Sequence, residues 1–78
     1  MTNLEKYDRN FLNTFPITKE TLPEARYLRT KDWTSLGHVQ LISAMEETFG
    51  IQLETLDVMD FSSYEKGKEI LAKYGVEL

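Results

Sequence analysis

The chain has 78 residues, with 13 acidic against 9 basic side chains, a net charge of −4 and an isoelectric point near 4.9. That balance argues against nucleic-acid binding, which works through clustered Lys and Arg, and the absence of cysteine excludes disulfides and thiolate metal sites. No apolar run approaches the ~20 residues of a membrane span, and the N-terminus has no basic stretch followed by an apolar one, so one cytoplasmic domain covering residues 1–78 is expected.

The first helix is expected from Leu4 to Phe15. Thr2 followed by Glu5 has the spacing of a capping box, and Pro16 restricts the residue before it and ends the helix. At ~100° per residue, Leu4, Tyr7, Phe11 and Phe15 fall on one narrow face, with Leu12 at its edge. This is a core face.

From Pro16 to Thr34 the periodicity disappears. Ile17, Leu22, Tyr27 and Leu28 are the apolar anchors of a long loop, and a turn of helix between Leu22 and Tyr27 would shorten its irregular part. A second helix follows from Ser35 to Phe49, with Gly50 as its C-terminal stop. Val39, Ile42, Met45 and Phe49 share its inward face, flanked by Leu41.

Ile51, Leu53, Leu56, Val58, Met59 and Phe61 then mark a short segment with room for one or two helical turns. Strand is the competing reading for Ile51 to Leu53, but a lone strand would have no partner. The last helix is signalled by Ser62 and Glu65, again at capping-box spacing. Tyr64, Ile70, Leu71 and Tyr74 line one face, and Gly75 marks the end. Gly67 lies within that face, where glycine costs roughly 1 kcal/mol relative to alanine. Close approach of a neighbouring helix, or space kept for a sequestered chain, would explain it. The expected fold is therefore all-α: a small antiparallel bundle of three main helices plus a short helix, with a long loop after the first helix.

The start of the second helix carries the chemistry. It reads Asp32-Trp33-Thr34-Ser35-Leu36-Gly37-His38 and continues through Glu46, Glu47 and Phe49 to Gly50. A helix start presents unpaired N–H groups and a partial positive charge, which favour a phosphate. Taken alone, a serine before an apolar helix is an ordinary cap. Here, Ser35-Leu36 followed by this helix resembles the acyl carrier protein family, whose usual core is Asp-Ser-Leu, and the order of elements matches along nearly the whole chain.

The resemblance implies that Ser35 carries a covalent 4'-phosphopantetheine arm derived from coenzyme A. The arm's thiol would hold an acyl or aminoacyl group as a thioester, so no cysteine is needed. The chain would be a monomeric carrier, not an enzyme. Its partners would be a phosphopantetheinyl transferase and the loading and accepting enzymes of a biosynthetic pathway, with no nucleic acid and no membrane span. Leu36, Gly37, Gln40, Ser43 and Glu47 would face those partners, which an acidic protein meets through basic patches.

Two departures from the family stand out. Thr34 replaces the aspartate before the serine, and Gly37, Gln40 and Ser43 occupy positions that are often acidic, which points to a specialised pathway rather than bulk fatty-acid synthesis. Trp33, Thr34 and His38 are candidate contacts for the arm or its cargo. Trp33 also reads as a loop anchor, and His38 as a half-buried imidazole bonded to a loop carbonyl. Glu46 and Glu47 diverge by ~100° on the helix and do not converge on a metal. No metal site is expected. The alternative reading is a small helical interaction module, or a degenerate carrier that is never modified.

Overall fold

The computed structural model describes residues 1–78 and is all-helical. Helix α1 spans Asn3–Thr14, a single 3₁₀ turn covers Leu22–Glu24, α2 spans Ser35–Phe49, α3 spans Thr55–Asp60 and α4 spans Tyr64–Lys73. The result is a small bundle of three main helices and a short one, with the long connection between α1 and α2. No strand forms over Ile51–Leu53. No helix is long and apolar enough to cross a membrane.

Local chemistry sets the helix ends. Thr2 and Glu5 close a reciprocal capping box on α1. Gly50 takes a left-handed conformation (φ +63°) at the end of α2, which a side-chain-free residue adopts without penalty. After α4, Gly75 N–H donates to the Ala72 carbonyl and Val76 N–H to the Leu71 carbonyl, a Schellman closure that folds buried Val76 back onto the bundle. The α4 cap is Ser63, whose hydroxyl accepts from Lys66 N–H, so the cap falls one residue later than expected and the Ser62–Glu65 box does not form.

An aromatic cluster fills the core. The Phe11 ring lies 5.1 Å from Tyr7, 5.5 Å from Trp33, 5.4 Å from Tyr64 and 6.4 Å from Phe61. Leu41, Ile42 and Met45 from α2, and Ile70 and Leu71 from α4, complete it. Gly67 lets α4 approach α1 and Phe61. A methyl group there would overlap the Tyr7 hydroxyl and the Phe61 ring tip, and Tyr7 is pinned by donating to the Tyr64 carbonyl at 2.6 Å. The space at Gly67 is therefore filled by aromatic side chains and holds no acyl chain.

The long connection is stitched down at several points. Leu22, Ala25 and Trp33 are buried, and Ile17 and Tyr27 pack against the core. Tyr27 N–H donates to the Ser62 carbonyl at 2.9 Å and Tyr64 N–H to the Ala25 carbonyl at 3.0 Å, fastening the loop to the start of α4. Three residues depart from the expected pattern. Leu28, expected as an anchor, is 68% exposed, and Leu4 lies at the open edge of α1 rather than in its core face. Val39, expected to point inward, is 61% exposed.

Short α3 has no side-chain cap of its own and is held from outside. Glu46 accepts from Leu53 N–H at 2.8 Å. Asp57 is buried and accepts from Lys73 Nζ at 2.6 Å and from the Tyr74 hydroxyl at 2.5 Å. The same Tyr74 oxygen accepts from Glu54 N–H at 2.9 Å.

Candidate functional site

Ser35 is the first residue of α2, and its side chain is exposed. His38 N–H, bonded to the Thr34 carbonyl at 2.8 Å, is the first donor of the helical ladder. The N–H groups of Ser35, Leu36 and Gly37 therefore lie beyond the ladder at the positive end of a fifteen-residue helix. Thr34 has the extended backbone of an N-cap, yet its hydroxyl caps nothing, and the first turn holds no acidic residue. This helix end is neutralised by no side chain of its own.

The position of Ser35 is set by its neighbours. Trp33 is fully buried, stacked on Phe15 with ring centroids 5.1 Å apart, and its indole N–H donates to His38 Nδ1 at 3.0 Å. Indole is only a donor, so Nδ1 is the acceptor and Nε2 carries the hydrogen, which points to the Val58 carbonyl at 2.7 Å. This Trp33–His38–Val58 relay ties the loop, α2 and α3 together around the serine. His38 is thus bonded to a helix carbonyl rather than to a loop carbonyl.

The sequence-predicted residues divide clearly. Ser35, Thr34, Leu36, Gln40, Ser43 and Glu47 are exposed at the start and along the outer side of α2. Gly37 is not with them. It is buried, and a Cβ there would overlap the Asp32 carbonyl and stand 2.9 Å from the Phe15 ring. The expected partner-facing role for Gly37 is corrected: it admits the loop backbone beneath the helix start. Trp33 likewise contributes to the core rather than to a contact with arm or cargo, because none of its surface reaches solvent.

His38 is half-buried and does face a cavity. A hollow of about 280 Å³ is lined by Tyr27, His38, Val58, Met59 and Phe61. One turn separates His38 from Ser35, so the hollow lies on the same end of α2 as the serine. Leu36, Val39, Leu56 and Met59 present exposed apolar side chains on α2 and α3. Tyr27, Val39, Met59 and Phe61 were not among the sequence-derived site residues. The available signal was an excess of apolar residues in 51–61 over what one short helix can bury.

No group of three or more His, Asp or Glu side chains is gathered as metal ligands. No protein-family model, no curated protein and no solved structure matches the chain.

Proposed function

We propose that this chain is a carrier protein that bears a 4'-phosphopantetheine arm on Ser35 and shuttles an acyl or aminoacyl group between enzymes. The observation that carries the reading is an exposed serine hydroxyl at the first position of α2, beside N–H groups with no other partner and next to an apolar hollow. A phosphodiester formed there sits at the positive end of the helix. When attached, the arm supplies the thiol that holds the cargo as a thioester.

The chain's own part is to present and orient. A phosphopantetheinyl transferase would join Ser35 Oγ to the phosphorus of coenzyme A, breaking the pyrophosphate link and releasing adenosine 3',5'-bisphosphate; the serine proton is lost in the same step. The Trp33–His38–Val58 relay holds the helix start still while Leu36 and Val39 offer apolar contacts to loading and accepting enzymes. The outer side of α2, with Gln40 and Ser43 uncharged, favours a specialised pathway over a general fatty-acid one.

Incubation with coenzyme A and a broad-specificity phosphopantetheinyl transferase should add one arm, located by mass spectrometry on Ser35. Ser35→Ala should abolish the gain while keeping the helical signal, and Thr34→Asp should speed the reaction. Modification elsewhere, or none with several transferases, would overturn the carrier reading in favour of a helical interaction module.

A further inference from the structure

A second cleft opens beside the apolar hollow, and Tyr27 forms the wall between them. It has a volume of about 500 Å³ and is lined by Arg26, Tyr27, Arg29 and Ser62. All four side chains carry hydrogen-bond donors and none is acidic. The ion pairs of the protein join Lys66 to Glu69, Lys68 to Glu65 and Lys73 to Asp57, so neither arginine is paired. Two free guanidinium groups next to a phenol and a hydroxyl form an anion-binding set, in a chain whose net charge is −4.

The set is carried on a fixed turn. Arg29 N–H and Thr30 N–H both donate to the Arg26 carbonyl, at 3.1 and 2.9 Å. The Thr30 hydroxyl accepts from Arg26 N–H at 2.9 Å, and Tyr27 N–H is bonded to Ser62 across the cleft. A planar fork of donors on such a support matches a carboxylate better than a lone lysine would.

The other side of Tyr27 is apolar. Both His38 nitrogens are already engaged, by Trp33 and by Val58, so the imidazole offers the hollow only its ring. Its ring meets Tyr27 edge-on at 5.4 Å and Phe61 at 6.4 Å. Behind the hollow Phe61, Phe11 and Trp33 are fully buried and leave no deeper channel.

On the carrier reading above, we infer that the cargo is a short acyl group ending in a carboxylate. Its apolar body occupies the hollow against Tyr27, Val58 and Met59, and its carboxylate enters the cleft between Arg26 and Arg29. An uncharged short chain leaves the arginines unused.

The test loads the protein from hexanoyl-coenzyme A and from adipoyl-coenzyme A, which have six acyl carbons and differ at the far end. Both loaded forms contain the phosphate of the arm, so a difference between them reports the carboxylate alone. The Ser62 amide resonance and the Arg26 and Arg29 Nε resonances should move in the adipoyl form and not in the hexanoyl form, whereas Tyr27, which walls the hollow, should respond to both. Arg26→Gln with Arg29→Gln should erase that difference while loading on Ser35 persists, since both side chains are exposed. Equal spectra for the two loaded forms, or a difference that survives the double substitution, would overturn the inference. If neither compound loads Ser35, the carrier reading fails separately, and the cleft is then tested with the free N-acetylcysteamine thioesters of the two acids. Tighter binding of the adipoyl compound by about fivefold, shrinking with added salt, supports the site; equal affinity refutes it.

Discussion

Gly67→Ala isolates the close approach of α4 to Tyr7 and Phe61. The added methyl would overlap the Tyr7 hydroxyl and lie within 2.6 Å of Phe61 Cε1. Neither neighbour yields easily. Tyr7 is bonded to the Tyr64 carbonyl, and Phe61 is fully buried with its ring stacked at 27° to that of Phe11. Overpacking of this kind costs typically ~1–3 kcal/mol, against a gain of up to ~1 kcal/mol from alanine's helix propensity. A net loss of about 1–2 kcal/mol is expected. For a domain of this size that corresponds to a fall in Tm of roughly 5–15 °C, readable by circular dichroism. Tyr7→Phe removes the overlapping oxygen, so the double variant should lose less than the sum of the two single losses. A Tm for Gly67→Ala equal to or above that of the parent would refute the close-approach argument.

Leu28 is exposed with φ +66°, a backbone region that costs a β-carbon-bearing residue about 1–2 kcal/mol and that asparagine tolerates better. Leu28→Asn should therefore raise the urea midpoint, by up to ~1 kcal/mol of stability, and a lower midpoint would show that the leucine packs usefully. The Lys73 ammonium, and after it the Tyr74 hydroxyl, hold the Asp57 carboxyl below its usual range. A group with a depressed folded value contributes fully above its unfolded value, near about 4, and loses that contribution as pH falls through the lower folded value. The stability gap between the parent and Asp57→Asn should be constant above about pH 5 and close in more acid solution; a gap that persists unchanged at the lowest pH would contradict the pairing.

The helices were legible wherever one residue marked an end or a face. Thr2, Gly50 and Gly75 announced termini, and Tyr7, Phe11, Tyr64, Ile70 and Leu71 repeat at helical spacing against polar neighbours. The inner side of α2 was legible for Ile42, Met45, Phe49 and the flanking Leu41, and missed only at Val39. Apolar residues spread over more than half of the helix, so its edge is poorly marked. That edge is set by Gly37, which allows the Asp32 carbonyl and Phe15 to close in and leaves Val39 on the far side. A pattern of hydrophobic side chains cannot register a residue that acts by lacking one.

The site shows the same division. The place of Ser35 at the start of α2 was visible because a helix start depends on local order along the chain. Tyr27, Met59 and Phe61 enter the hollow through tertiary packing, and Asp57 finds its partners sixteen and seventeen residues away. Only the folded arrangement brings these groups together.

Trp33 is the chain's only tryptophan, and that gives the molecule an intrinsic optical gauge. Its indole lies two residues before Ser35, is sealed from solvent, and is joined by one hydrogen bond to the imidazole that walls the hollow. Native protein should emit at short wavelength, with a shift to the red on unfolding. Whatever enters the hollow and moves His38 alters the dipole at the end of that bond, and so changes the emission without any attached label.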